Sequence, residues 1–317
     1  MTGRARTIFL GSGDFAIPIG ACLAVHPGVE LLGVVSAPAR LRGRGAASGH
    51  TPVSEWAGQL GLPTLTPARL RAAPAIAQLS DLAPELLVLA DYGQIVPAEL
   101  LALPPHGALN LHPSLLPRHR GASPIAAAIL AGDAETGVSL MQMDAGLDTG
   151  PLIAQRRLAL AGHETAPELE RRLAQLAAEL LAGSLAAWLA GELQAQPQPA
   201  EGASLSRPLR RSDGRLDPAR SARELERRVR AYQPWPGSYL ETTALRLVVW
   251  QAQVLTGPTG AEPGRLLAPV GDEQGRVALA TAQGLLELLE VQPAGGRRMG
   301  ATELLRGRPQ LLGATVR

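Results

Sequence analysis

The chain contains no lysine: all 30 of its basic residues are arginine. It has one asparagine, Asn110, one cysteine, Cys22, and only 3% aromatic residues among its 317 positions. A lone cysteine cannot close an internal disulfide, so a disulfide-stapled secreted scaffold is excluded and a reducing cytoplasm is expected. With few aromatics but 46% hydrophobic residues, the interior must be filled by Leu, Ala and Val. Long apolar runs are missing too. Thr7–Leu10 is too short for a signal peptide, and Leu173–Leu189 is interrupted by Gln175, Glu179 and Ser184, which marks a packed helix rather than a membrane span. No His/Cys or multi-carboxylate spacing suits a metal, so none is expected. A coding bias toward high GC suppresses Lys and Asn without functional cause. Under such a bias, the one Asn that survives marks a place where Gln, Asp or Ser does not substitute.

Net charge is +2 but unevenly spread. Residues 1–206 carry 13 Arg against 17 acids, a balance of −4, whereas residues 207–317 carry 17 Arg against 11 acids, a balance of +6. A basic second half fits a polyanionic partner, although an arginine-rich solvated face gives the same count.

Strand and helix signals alternate at first. Short apolar runs at Thr7–Leu10, Val29–Val35, Leu86–Ala90, Ala108–Leu111, Val138–Met143 and Leu152–Arg157 read as strands, with a helix near Pro124–Ala131. This is the pattern of an α/β, Rossmann-like open sheet with helices on both faces. Thr165-Ala166-Pro167-Glu168 opens a long helix as a capping box. Gln194–Ser206 is rich in Gln, Pro, Ala and Ser without periodicity and reads as a linker. Beyond it lie a helix near Ala222–Tyr232 and short β runs separated by Gly and Pro, the pattern of a small β-barrel. The resulting division is 1–192, a linker at 193–207, and 208–317.

Gly11-Ser12-Gly13-Asp14-Phe15-Ala16 follows a strand, as a dinucleotide fingerprint does. The acidic residue such a site needs about 20 positions on is absent: Val34-Val35-Ser36-Ala37 stands there, and Glu30 comes too early. Asn110-Leu111-His112-Pro113 is more informative. Residues two apart on a strand share a face, and Pro113 favours extended geometry at His112. An amide donor beside an imidazole suits a developing oxyanion; a turn cap and a histidine with satisfied hydrogen bonds are the plain alternative. Asp148, in the glycine-punctuated loop Met143–Gly150, either orients His112 or is a solvated turn residue. Arg40-Leu41-Arg42-Gly43-Arg44-Gly45 is a basic loop able to follow phosphates. Arg207–Arg230 holds nine arginines and four acids, Arg210 and Arg211 among them, ahead of Tyr232-Gln233-Pro234-Trp235-Pro236, a mixture that suits RNA.

Together these segments resemble the methionyl-tRNA formyltransferases, a branch of the folate-dependent formyltransferase superfamily. Asn110 through Ile125 is similar to the superfamily signature, and Thr136 through Met143-Asp144 with Gly146-Leu147-Asp148-Thr149-Gly150 to its second block. Gly43-Arg44-Gly45, the Gln-Pro-Trp-Pro at 233–236 and Val291-Gln292-Pro293-Ala294-Gly295 resemble the tRNA-directed branch. The likeness implies transfer of the formyl group of 10-formyltetrahydrofolate, a co-substrate, to initiator methionyl-tRNA by a cytoplasmic, membrane-free monomer, with an OB-like C-terminal domain holding the tRNA. It implies Asn110, His112 and Asp148 as the catalytic trio, and the chemistry of formyl transfer leads us to expect Asn110 and a protonated His112 as donors to the oxyanion. Ser114, Leu115, Leu116, Pro117, Tyr92, Gly93, Gln94 and Asp144 are implied for the folate site, and Arg42, Arg44, Arg210 and Arg211 for tRNA contact. Asp91 where the family carries Ala, Ala46-Ala47 where it carries lysines, and His119 in place of a larger aromatic depart from the pattern.

Overall fold

A computed structural model describes residues 3–41, 48–242, 245–255, 261–269 and 275–316. Arg42 and Arg44 lie outside the described residues. The chain divides into two units, one of Met1–Pro124, Glu135–Ala159 and Leu169–Arg207, the other of Ile125–Ala134, Leu160–Glu168 and Pro208–Arg317.

The first unit is built on seven strands: β1 (Ala5–Gly11), β2 (Val29–Val35), β3 (Thr64–Leu65), β4 (Leu86–Ala90), β5 (Ala108–His112), β6 (Glu135–Gln142) and β7 (Leu152–Ala159). Their order across the sheet is β7-β6-β5-β4-β1-β2-β3. The chain winds outward from β1 through β2 to β3, then returns to lay β4 on the other side of β1, which makes a topological switch point there. β1 through β5 are parallel, while β6 runs antiparallel to both β5 and β7. Every residue of β4 is buried, as expected of a central strand covered on both faces. Helices Ala16–Val25, Pro52–Gln59 and Ala73–Asp81 connect the parallel strands; the second starts cleanly because Thr51 caps Ser54 N–H and Pro52 needs no amide partner.

The stretch read as a linker has defined pairing within this unit. Gln196 bridges Leu152, and Leu205-Ser206 lies parallel to Arg120-Gly121. Its backbone therefore finds partners despite lacking any hydrophobic period.

In the second unit, Ser221 and Glu224 form a reciprocal capping box at the start of helix Ala222–Ala231. An antiparallel sheet runs in the order Ser238–Glu241, Arg246–Leu255, Leu285–Pro293, Val277–Ala280, Leu266–Leu267. Near the C-terminus Val316 bridges Thr242 beside the first strand and Thr315 bridges Arg265 beside the last, drawing the sheet into a small barrel. Leu225 and Val229 of the helix are buried among Leu240, Val249, Leu279, Leu286 and Val291. On its surface Arg246 stacks 3.5 Å from the Tyr239 ring centre and Arg298 lies 4.8 Å from that of Trp250. Arg210 and Arg211 are exposed. No helix among the described residues is long and apolar enough to cross a membrane.

Candidate active site

Asn110 and His112 stand on the same face of β5, two residues apart, as the strand period requires. Their neighbours in register on β6 are Met141 and Ser139. His112 is 5% exposed and Asn110 half-buried. Among the described residues, no protein group bonds the Asn110 amide, so its N–H donors are available to a substrate.

The Met143–Gly150 loop leaves β6 beside Ala108, where Met143 N–H donates to the Ala108 carbonyl at 2.7 Å. It then folds back so that Asp148 Oδ2 lies 3.6 Å from His112 Nδ1. That separation is too long for a hydrogen bond and short enough for strong Coulomb coupling. The same oxygen accepts the Gly121 N–H at 2.7 Å. Asp148 has a φ of +52°, a left-handed conformation that Asp tolerates better than most residues. Asp144, placed with the folate site by resemblance, accepts from Gly146 N–H and Thr149 Oγ1 at 2.9 and 2.8 Å, and so shapes this loop.

On the far side of the imidazole, Nε2 lies 2.9 Å from the His119 carbonyl. A carbonyl only accepts, so Nε2 carries the proton and a neutral ring leaves its lone pair on Nδ1, toward Asp148. Burial pushes the His112 pKa below the ordinary imidazole value, against opposing pulls from Asp148 and the His119 carbonyl. Burial thus favours the neutral ring in the free protein, where the sequence reading expected a protonated His112 donating to the oxyanion. Nε2 is already spent, so Nδ1 is the position left to exchange a proton.

Neighbouring segments brace this pair. His119, itself buried with φ +57°, holds its N–H on Ser204 Oγ at 2.9 Å. Gly121 has φ +102°, and a Cβ there would sit 2.3 Å from the Ser206 carbonyl oxygen, so only glycine presents this N–H to Asp148. Ser114 Oγ donates to the Arg118 carbonyl at 2.6 Å, and Leu116 N–H donates to Ser139 Oγ at 3.0 Å. Leu116 is buried and Leu115 half-buried. The Pro117 carbonyl accepts from Ser204 N–H at 3.2 Å. Gln94 spends its amide on the Pro67 carbonyl and Leu70 N–H. Tyr92 is buried, its hydroxyl without a partner among the described residues and its pKa pushed up to about 12 by burial. Gly93 is exposed, with φ +80°. Ser114, Gln94 and Asp144 thus all serve the protein's own hydrogen bonds.

Above the glycine turn of β1 sits Asp91. Its carboxylate accepts the Gly13 N–H and lies where a Cβ on Gly13 would go. A carboxylate facing that turn, beside Asp14 and Glu170, repels rather than holds a phosphate. Burial, with those two acids, raises the Asp91 pKa to about 6. Among the described residues, no group of three or more His, Cys, Asp or Glu is placed to hold a metal.

An amide donor, an imidazole with one open nitrogen and a carboxylate converge here from two blocks of sequence. Residues 5–185 match the family model for formyl transferase, and residues 208–309 the model for the formyl transferase C-terminal domain. The chain belongs to the formyl transferase family. Within that family its relatives include proteins named methionyl-tRNA formyltransferase. One from Myxococcus xanthus is 44% identical over 96% of this chain and 95% of its own length. One from Thermus thermophilus is 46% identical over 95% of this chain and 96% of its own. Among solved structures, a sugar 3N-formyl transferase, WlaRD, superposes with TM-score 0.65 at 14% identity, covering 94% of this chain and 100% of that one. HypX from Aquifex aeolicus, in complex with tetrahydrofolic acid, does so with TM-score 0.63 at 16% identity, covering 96% of this chain and 47% of that one. As a formyl transferase the chain is an enzyme, and the likeness to these structures is one of fold.

Sequence reasoning singled out Asn110, His112 and Asp148, which the fold brings together, but missed two residues that brace them. Gln198 and Ser204 lie in the stretch read as a linker, where composition gave no sign of them.

Proposed function

We propose that this formyl transferase moves the formyl group of 10-formyltetrahydrofolate onto the amino group of initiator methionyl-tRNA, giving N-formylmethionyl-tRNA. Full-length likeness to proteins named for that activity supports the substrate, as does the +6 balance of residues 207–317 with Arg210 and Arg211 exposed. In this reading residues 1–192 carry the chemistry and 208–317 grip the tRNA, with Arg42 and Arg44 contacting it as well. The observation that carries the catalytic assignment is the Asn110 amide, without a protein partner among the described residues, beside a buried imidazole whose open nitrogen faces a carboxylate.

An α-amino group has a pKa of about 7.7–8.0, so an appreciable fraction is neutral near pH 7 and already nucleophilic. Its nitrogen bonds to the formyl carbon while the carbonyl π electrons move to oxygen. Asn110 donates an N–H to that oxygen, a contact worth about 2.7–4 kcal/mol in comparable sites. His112 takes the proton of the attacking ammonium at Nδ1, where Asp148 stabilises the resulting imidazolium. The same proton passes to the folate nitrogen as its bond to carbon breaks and the carbonyl reforms.

The test supplies 10-formyltetrahydrofolate with methionine-charged initiator tRNA, charged elongator tRNA, or a nucleotide-linked amino sugar. Formylation of the initiator species is expected. Formylation of the sugar alone would overturn the substrate, and of charged elongator tRNA equally well the initiator preference.

A further inference from the structure

The Gln198 side chain, far in sequence from the trio, is fully engaged around Asp148. Its Nε2 donates to the Asp148 carbonyl at 2.9 Å and to the Gly150 carbonyl at 2.7 Å. Its Oε1 accepts from Arg120 Nε at 3.0 Å and Arg120 Nη2 at 2.7 Å. A primary amide has two N–H donors and two acceptor lone pairs, and all four are used here. Arg120 precedes Gly121, whose N–H holds the Asp148 carboxylate. A ring of contacts results: Asp148 carboxylate to Gly121, Gly121 along the chain to Arg120, Arg120 to Gln198, and Gln198 back to the Asp148 backbone. Asp148 is held at both ends, backbone and side chain, while its φ of +52° works against it.

We propose that Gln198 is a positioning residue: through the Asp148 and Gly150 carbonyls it sets the Asp148–His112 distance on which proton transfer depends. This rests on the trio assigned above, but the geometric part can be read without any formyl transfer. No other residue type fits as well. Glutamate keeps the Arg120 contact but turns oxygen toward two carbonyls. Methionine fills the space and makes none of the four bonds. Asparagine is one methylene too short to span both.

The experiment follows Gln198→Met and Gln198→Glu in the full chain. The His112 titration is read by NMR of histidine-labelled protein, alongside kcat, KM for tRNA and thermal melting. In Gln198→Met, Asp148 drifts from the imidazole and its supporting charge weakens, so the His112 pKa falls further. A misplacement of about 1 Å can cost about 10²-fold in rate, so a fall in kcat of tenfold or more is expected. KM for tRNA should stay within twofold. In Gln198→Glu, kcat should fall similarly with the melt near wild type. An unmoved His112 titration in a folded Gln198→Met protein overturns the inference, as does wild-type kcat in either variant. Should the wild type formylate nothing tested, the substrate assignment fails while a shifted His112 titration still upholds the positioning role.

Discussion

Replacing Asp148 by asparagine isolates the charge of the pair from its shape. At 3.6 Å, and with an effective dielectric of about 20, the carboxylate supports an imidazolium by about 4–5 kcal/mol. Removing that charge should lower the His112 pKa further, since Asp148 is the main group pulling it up. The fold should notice little. Asparagine tolerates left-handed φ as aspartate does, and its oxygen can keep the Gly121 N–H. Exchange of a charge-assisted bond for a neutral one costs about 1 kcal/mol. Catalysis should suffer far more. A proton acceptor stripped of its counter-charge forfeits much of the 10²–10⁴ that general base catalysis provides, so kcat for Met-tRNA formylation should drop by about 10²–10³.

Stability should carry the same signature. His112 is buried with its pKa below the ordinary value, so the unfolded chain protonates first as pH falls below about 6.5. Stability is complete above that pH and declines toward the folded-state pKa. In Asp148→Asn the folded pKa lies lower still, so the acid-side decline should continue further. Melting curves from pH 7.5 down to 5, together with the histidine titration, read both effects. A kcat within threefold of wild type, or a His112 pKa that rises, would refute the argument.

Asn110→Ala should lower kcat by about 10²–10³ with tRNA affinity unchanged, and single-turnover rates beside tRNA binding curves check it. For Gly150→Ala, a Cβ would lie 1.8 Å from the Gln142 carbonyl oxygen, so backbone must move. A cost of about 1–3 kcal/mol and a loss of activity are expected, from denaturant melts and turnover. Asp91 has its pKa raised to about 6, well above the ordinary aspartate range, so the native state binds its proton more tightly and loses stability as pH rises from 4 through 6. Asp91→Asn keeps the acceptor for Gly13 and suits the φ of +46°. Its benefit should be near zero at pH 4 and reach about 1 kcal/mol above pH 7, solvent around this outwardly open residue screening the rest. Equal melts at pH 7.5 would sink that account.

Strands were legible in the sequence wherever an apolar run was bounded by turn residues. Leu86–Ala90 and Val29–Val35 are strands in those bounds, because a buried parallel strand has no other way to read. The edge pieces escaped: Thr64-Leu65 is too short for a period to show, and Ser238–Glu241 follows a proline-rich turn that masks it. The placement of Asn110 with His112 follows from strand period alone. The approach of Asp148 to that pair had no local cause, since it depends on a loop folding back and on a glycine N–H from a third segment. Gln198 was illegible for the same reason. Its segment has no hydrophobic period because its side chains bond to polar backbone, and polar pairing leaves no periodic trace.

The protonation state of His112 shows why that hidden scaffold matters. From the trio alone, a carboxylate beside an imidazole argues for a charged ring at rest. With Nε2 committed to the His119 carbonyl and the ring 5% exposed, desolvation outweighs the carboxylate and favours the neutral ring. The balance tips only when a proton is offered on the Nδ1 side, which is where an attacking ammonium would offer it. Neutrality at rest therefore suits an acceptor better than a permanent cation would. The carboxylate, 3.6 Å away, then matters during proton transfer rather than before it, because the charge it stabilises does not exist until the amine has attacked. In the proposed mechanism, a residue that fixes that distance, Gln198 or Gly121, would act on the barrier without touching the substrate.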